Sequence, residues 1–192
     1  MLHVLPVWLF AIGFHHPLAT PSTFQQVSPQ PKQEVETRIR PSEFPHPAAE
    51  WIAPVVAEAR RIRHYLQTDG VDTSYEVKFK IDGQTWSVEF EEDGAFQDAE
   101  RLTNPRSLPE GMRTHLDSRF KSWKIVRAQS QHQPDTESPA RPDWFRTPSA
   151  PIGYEVEVEG RNADEIGRFE LQFDSGARLL LERRILEIRL LN

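Results

Sequence analysis

The amino-acid sequence predicts an α+β fold: two tandem helix-plus-four-strand repeats that form one antiparallel sheet with both helices on one face. Three observations predict it. Segments 75–94 and 154–176 both begin Tyr-Glu-Val, and each closes on a Phe, at least one acidic residue and a Gly. Within both segments, apolar and charged residues alternate with the period of two that a half-buried strand shows. A shorter segment with apolar residues at helical spacing precedes each of them.

The first repeat is predicted to span residues 44–104 and to open with a helix. Trp51, Ile52 and Val55 recur at helical spacing in this part of the chain. Pro54 falls about two turns into the helix, where it should kink or split it because proline has no N–H to donate. A strand is predicted directly after the helix.

Two hairpins are predicted next. The pairs Asp82-Gly83 and Asp93-Gly94 interrupt the alternation, and Asp-Gly is a strong signal for a tight hairpin turn. One side of each strand is apolar and is expected to pack under the helices. The side chains predicted to face the helices are Tyr75, Val77, Phe79, Ile81, Trp86, Val88, Phe90, Tyr154, Val156, Val158, Phe169, Leu171 and Phe173.

The second repeat is predicted to span residues 105–192 and also to begin with a helix. Ser107 is a candidate N-cap, since its hydroxyl can accept a hydrogen bond from the first helical turn. Met112, Leu116 and Phe120 follow at intervals of four residues. Side chains at this interval form one apolar stripe, which should pack against the sheet.

The two predicted repeats match beyond their strands and differ by an insertion. The segment GARLLLER from Gly176 matches GAFQDAER from Gly94 at a constant offset of 82 residues. Residues 131–150 are polar and contain four prolines, and they separate the first two strands of the second repeat. Loops of this length are usually functional or disordered.

The charged face of the predicted sheet is expected to lie in water. Opposite charges on neighbouring strands there each contribute roughly 0.2–1 kcal/mol. A solvated charged face is one interpretation, and a docking surface for a charged partner is the other. The candidate contact residues on this face are Lys78, Lys80, Glu89, Glu155, Glu157 and Glu170.

The insertion carries the second set of candidate contact residues. Trp144, Phe145 and Arg146 lie between prolines in the middle of the loop. Trp and Arg are over-represented in the residues that contribute most to protein interfaces. The alternative is that the two aromatic side chains fold back and plug an edge of the core, because large aromatics rarely stay exposed.

The N-terminus predicts export. Residues 1–19 contain no Asp, Glu, Lys or Arg, and their apolar run is about eleven residues. Such a run is too short to span a bilayer but fits the apolar part of a signal peptide. A buried strand or a mis-assigned start is the alternative. Residues 20–43 are polar and proline-rich, and are predicted to form a disordered arm.

Composition excludes several classes of function. The net charge is −6 and no sustained basic stripe exists, which disfavours nucleic-acid binding. The chain has no cysteine, so disulfides, thiolate metal sites and cysteine nucleophiles are excluded. Its seven histidines lack metal-ligand spacing, and no phosphate loop or nucleophile motif occurs. No cofactor, metal or catalytic residue is predicted, and no membrane span after signal cleavage.

The order of these elements resembles a known family. Tandem units of a helix and antiparallel strands, Tyr-Glu-Val strands, a Phe-acidic-x-Gly turn, and Leu-Pro opening a helix are similar to PepSY-like and β-lactamase-inhibitor-like (BLIP-like) proteins. The likeness covers roughly residues 44–191. It implies an exported, non-enzymatic bacterial protein, and related modules accompany secreted peptidases or inhibit hydrolases by gripping them with a concave sheet. Inhibitors of this type present aromatic side chains on that face, whereas the charged face here carries mostly Glu, Lys and Arg.

Three functional hypotheses follow. The first is an exported binding module with a protein or peptide partner in the periplasm or at the cell surface. The second is a hydrolase that uses carboxylates, which a pocket holding two close carboxyl groups, one with a strongly raised pKa, would favour. The third is a structural envelope protein without a specific ligand, tethered by its arm.

Overall fold

The protein is built around a nine-stranded antiparallel sheet. A computed structural model describes residues 31, 34–70, 72–134, 140–162 and 165–186. The strands lie in the sheet in chain order, and each pairs antiparallel with the next. They are β1 (Glu34–Ile39), β2 (Arg60–Asp69), β3 (Asp72–Ile81), β4 (Gln84–Glu91), β5 (Phe96–Leu102), β6 (Ser122–His132), β7 (Gly153–Arg161), β8 (Ile166–Asp174) and β9 (Leu179–Ile185).

Three α-helices connect or precede these strands. They are α1 (His46–Val56), α2 (Glu110–Arg119) and α3 (Pro142–Arg146), and two 3-10 turns lie at Pro41–Glu43 and Pro105–Ser107. The predicted α+β class with an antiparallel sheet is confirmed. None of the helices in the described ranges is long and apolar enough to cross a bilayer.

Two hydrophobic clusters cover one face of the sheet. Helix α1 buries Ala48, Ile52 and Val55 against the apolar side chains of β3–β5, including Trp86 and Phe90. Helix α2 buries its predicted stripe against β6–β8 in the same way. Both helices therefore lie on the face that the alternation pattern assigned to them. That the two halves are sequence repeats stays a prediction.

Strand β1 lies within the predicted disordered arm. Residues 34–39 pair with β2 from Glu34↔Asp69 to Ile39↔His64, so this part of the arm prediction is wrong. Val35, Thr37 and Ile39 alternate with Glu36 and Arg38 at the period of two typical of a strand, and Ile39 packs against the hydrophobic cluster beneath α1. The predicted signal peptide, residues 1–19, and the arm up to residue 30 lie outside the described residues.

The start of α2 also differs from the prediction. Ser107 is not its N-cap: it belongs to the preceding 3-10 turn, and its hydroxyl donates to the carbonyl of Asn104 at 2.8 Å. Pro109 holds the N-cap position, and helix α2 begins at Glu110. In α1, Pro54 lies inside the helix, which ends two residues later at Val56.

The strand pairing revises the offset between the two halves. The β4–β5 turn has backbone hydrogen bonds from Glu91 to Ala95 and from Gly94 to Glu91, and the β8–β9 turn repeats both between residues 83 positions later. The same shift relates the two pairing registers. In space Glu100 therefore corresponds to Arg183, and not to the Glu182 that the offset of 82 implies. One acidic position of the first half is basic in the second.

The sheet curls strongly around the face that the helices leave uncovered. Arg183 of β9 lies 3.3 Å from Asp69 of β2, measured between Nη1 and Oδ2. In a flat sheet these strands, seven positions apart, would be separated by roughly 30 Å. The curl closes the charged face into a cleft.

Candidate functional site

The concave face of the sheet forms a cleft of about 790 Å³. Side chains of every strand from β1 to β9 contribute to its wall, and among the described residues that line it twelve carry carboxyl groups and three are arginines. Ile185 is the one apolar residue in this lining. The lining residues that define the cleft are Glu36, Gln67, Asp69, Asp72, Thr73, Ser74, Glu76, Glu89, Glu91, Glu92, Gln97, Asp98, Glu100, Arg127, Gln131, Glu155, Glu157, Arg168, Glu170, Gln172, Arg183 and Ile185.

Glu76 of β3 lies on the floor of the cleft and is 2% exposed. Its carboxyl accepts hydrogen bonds from Gln67 at 3.1 Å and from the Ser87 hydroxyl, and it lies 2.9 Å from the Lys78 ammonium. Burial raises the pKa of Glu76 to about 8, although the Lys78 charge acts in the opposite direction. A buried carboxyl that titrates near neutral pH therefore lies beneath the cleft.

Glu100 of β5 is the second buried carboxyl, 6% exposed. It accepts hydrogen bonds from Gln129 and, at 3.5 Å, from Gln131, both on β6. Burial, together with the carboxyl groups of Glu155, Asp98 and Glu89, raises its pKa well above the ordinary value. Glu76 on β3 and Glu100 on β5 are thus two buried carboxyl groups on the floor of the same cleft.

Arginines counter part of this negative charge. Burial opposes the charge of Arg127, but the carboxyl groups of Glu100 and Glu157 hold its pKa above the usual value. Arg127 lies 3.6 Å from Glu157, which also accepts a hydrogen bond from Arg168. These pairs stay within the cleft, and they neutralise a minority of its carboxyl groups.

The β7–β9 side of the floor contains a third buried carboxyl. Glu170 is 1% exposed and lies 2.8 Å from Arg183, while Gln172 donates to it at 3.3 Å. Gln172 also donates to Glu155 at 3.4 Å. The expectation that this face lies open in water is therefore wrong for Glu76 and Glu170, because the curl of the sheet covers its centre.

The predicted contact residues separate into two places. Glu89, Glu155, Glu157 and Glu170 line the cleft. Lys78 lies at its edge, where its ammonium bridges Glu36 at 2.5 Å and Glu76. Lys80 pairs with Thr85 and Arg60 further along β3, outside the lining. The three loop residues lie on the opposite, helix-covered face.

In that loop, Phe145 is completely buried. Its ring lies 5.3 Å from Phe79 and 5.0 Å from Trp86, both core residues, in edge-to-face contacts. Trp144 is partly buried beside it, 5.6 Å from Trp86. The alternative in which the aromatics fold back into the core describes this placement, so Phe145 is not accessible to a partner.

Arg146 fastens the same loop to the body of the protein. Its guanidinium lies 3.0 Å from Asp82 and 3.0 Å from Asp143, and it donates a hydrogen bond to Glu58. Asp82 belongs to the β3–β4 turn, and Glu58 follows α1. Arg146 therefore links the insertion to the first half of the fold by ion pairs.

His132 joins the insertion to the sheet from the other side. Its Nδ1 donates to the carbonyl of Ser149 at 3.1 Å, so its Nε2 accepts from the Ser130 hydroxyl at 2.9 Å. Burial, with the Arg101 charge, lowers the pKa of His132 to about 4. Ser130 and His132 are 1% and 0% exposed. This Ser–His pair is closed to a substrate and holds structure.

Sequence reasoning missed Glu100, Arg127 and Arg183. Asp98 and Glu100 are two residues apart on β5, and Arg127 and Gln129 are two residues apart on β6. Residues at this spacing share one face of a strand, which here is the side that lines the cleft. That signal is present in the sequence, but a bulge between Ile125 and Arg127 shifts the phase of β6. No grouping of acidic and histidine side chains able to hold a metal ion occurs within the described part of the chain.

Comparison with known proteins gives structural likenesses at low identity. No protein-family model and no curated protein matches the sequence. The chain is similar to a BLIP-like protein from Bacteroides fragilis, with 18% identity and a TM-score of 0.47, covering 78% of this chain and 92% of that one.

Two further neighbours come from the same genus. One is a candidate calcium-regulated periplasmic protein from Bacteroides thetaiotaomicron, with 18% identity and a TM-score of 0.29, over 77% of this chain and 95% of that one. The other is a candidate periplasmic protein of the DUF2874 family from Bacteroides vulgatus, with 17% identity and a TM-score of 0.29 over the same shares.

Proposed function

We propose that the chain is an exported, non-enzymatic binding module of the periplasm or cell surface whose cleft holds a positively charged segment of a protein or peptide. The observation that carries this proposal is the acidic cleft on the concave face of the sheet, with its twelve carboxyl groups and three arginines. A cleft in which one sign of charge predominates concentrates ligands of the opposite sign.

The size and lining of the cleft support a polar, extended ligand. Its volume of about 790 Å³ lies within the range of about 300–1,000 Å³ typical of ligand sites. Such sites are usually mostly apolar, whereas apolar lining here comes from Ile185. A ligand must therefore gain its affinity from charge and hydrogen bonds, and Arg side chains suit carboxylates because they can bind them in a bidentate manner.

The binding test uses a nona-arginine peptide with acetylated and amidated ends and a fluorescent label. We expect Glu89→Lys/Glu155→Lys to weaken its binding at least about tenfold at pH 8, since both side chains line the cleft and two attractions become repulsions. Fluorescence anisotropy against protein concentration gives the Kd.

Glu50→Lys/Glu110→Lys is the matched control. It makes the same change in net charge at exposed positions on α1 and α2, away from the cleft. We expect its Kd to stay within about twofold of the unmodified protein. Equal weakening by both double variants would show attraction by overall charge and would contradict a site in the cleft.

Incubation of the same peptide with the protein tests the hydrolase hypothesis. The cleft does contain what that hypothesis requires, a carboxyl group with a raised pKa, Glu100, near others such as Glu155. A hydrolase would cleave the bound peptide, and mass spectrometry of the peptide after incubation would show fragments. A binding module leaves the peptide intact.

A further inference from the structure

Two carboxyl groups buried beneath the cleft face the place where a positive ligand would bind. Glu76 and Glu100 are 2% and 6% exposed, on β3 and β5, and β4 lies between them. Removing a carboxylate from water is costly unless cations or hydrogen-bond donors compensate for it, so such a group tends to keep its proton. A positive charge that enters the cleft would therefore favour the ionised form of both carboxyl groups.

Acidic side chains from three strands lie near Glu100. Glu89 on β4, Asp98 on β5 and Glu155 on β7 each disfavour its ionised form. Arg127 on β6 is the opposing cation, and Gln129 and Gln131 on the same strand donate hydrogen bonds to it. Arg127 is shared with Glu157, so it does not fully compensate for a charge on Glu100.

Glu76 has a comparable set of neighbours. Glu36 on β1 and Glu89 on β4 disfavour its ionised form, and Lys78 on β3 favours it. On β2, Gln67 donates to it and Tyr65 lies opposite in the register, while Ser87 on β4 donates from the other side. Lys78 is shared with Glu36, which limits its effect on Glu76. Arg127 on β6 also feels the charge of Glu76.

We propose that the arrival of a cationic segment in the cleft expels protons from Glu76 and Glu100, so that binding tightens as pH rises. This rests on the proposed function, that the cleft binds such a segment. Burial and the neighbouring acids disfavour the ionised form of each carboxyl group. A guanidinium bound near it favours that form, because the opposite charge compensates. The ionised carboxyl then attracts the ligand, which links proton release to affinity.

The direction of the linkage follows from the free protein. Before binding, burial holds the pKa of Glu76 at about 8 and that of Glu100 well above its ordinary value. A bound cation lowers both, and in the interval between the free and bound pKa values each group releases a proton on binding. Within that interval the Kd falls by up to about tenfold per pH unit for each proton released.

Isothermal titration calorimetry with the end-capped nona-arginine peptide tests this. The peptide itself does not titrate, because guanidinium stays protonated throughout. We expect the Kd to fall between about pH 5.5 and about pH 8 at constant ionic strength. In two buffers of different ionisation enthalpy, the observed binding enthalpy should differ by an amount that corresponds to protons released.

Variants assign the protons. Glu76→Gln and Glu100→Gln mimic the protonated side chains, and each should reduce both the number of protons released and the slope of log Kd with pH. Glu50→Gln, at an exposed position on α1, should change neither. Should a Gln variant fail to fold, the buffer dependence of the unmodified protein remains a sufficient test.

The outcomes separate the two proposals. Binding that tightens with pH and releases protons supports the inference. Binding with the same Kd across this range, and with no transfer of protons to the buffer, overturns the inference and leaves the proposed function intact. Absence of binding at every pH overturns the proposed function and the inference with it.

Discussion

Replacing Phe145 with alanine is expected to lower the free energy of unfolding by about 3–5 kcal/mol, the usual cost of emptying a buried phenylalanine site. The ring is 0% exposed and contacts Phe79 and Trp86 beneath α1. The loss is large because Phe145, although it lies in the insertion, is part of the buried core of the first half. Urea denaturation followed by circular dichroism measures it.

Leu102→Ala is the matched control for this substitution. Leu102 is a large apolar residue at the end of β5 that is 50% exposed, so its loss should cost less than about 0.5 kcal/mol. If Phe145→Ala were equally mild, the insertion would not be docked in the core. Trp144 and Phe145 would then again be available as an exposed contact.

The stability of the protein should fall by about 2 kcal/mol between pH 6.5 and pH 8 through Glu76 alone. Its pKa is about 8 in the folded protein and 4.5 ordinarily, so folding holds a proton that the unfolded chain releases. That contribution is complete below pH 4.5 and is lost as pH rises through 8. The raised pKa of Glu100 acts in the same direction.

His132 acts in the opposite direction but in a lower pH range. Its pKa is about 4 in the folded protein against 6.5 ordinarily, so its contribution to stability is lost as pH falls from 6.5 towards 4. Burial also lowers the pKa of His64, which acts in the same direction, and the effect of both histidines fades as pH rises above 6.5. Between pH 6.5 and pH 8 the buried acids therefore contribute most of the slope.

Urea denaturation at a series of pH values measures this slope. Glu76→Gln should reduce it, since glutamine cannot ionise, and Glu50→Gln should leave it as in the unmodified protein. A free energy of unfolding that is constant or rises between pH 6.5 and pH 8 would contradict a protonated, buried Glu76.

The sequence predicts the strands of the sheet well because their alternation is regular. Val77, Phe79, Trp86 and Phe90 all lie in the core on the predicted side. Strand β1 was not predicted because its alternation of Val35, Thr37 and Ile39 is short and stands in a polar, proline-rich segment of the kind typical of disorder. The N-cap of α2 was misplaced because Ser107 lies in a 3-10 turn whose presence the local sequence does not signal.

The candidate site was half predictable for a different reason. Alternation assigns Glu89, Glu155, Glu157 and Glu170 to the charged face, and all four line the cleft. Whether that face is flat or closed depends on the accumulated twist and curl of nine strands, which no short segment encodes. Burial of Glu76, Glu100 and Glu170 follows from that curl, and with it the pKa shifts of Glu76 and Glu100 that distinguish the cleft from a solvated surface.

The measurement that tests binding in the cleft most directly is photo-crosslinking with a nona-arginine peptide that carries one photoreactive residue, followed by mass spectrometry of the crosslinked fragments. A site in the cleft predicts crosslinks in β3–β8, at residues such as Glu89, Glu100 and Glu155 that line the concave face. Excess unlabelled peptide should remove them. Crosslinks concentrated on α1, α2 or the loop around Trp144, with none on the concave face, would contradict it.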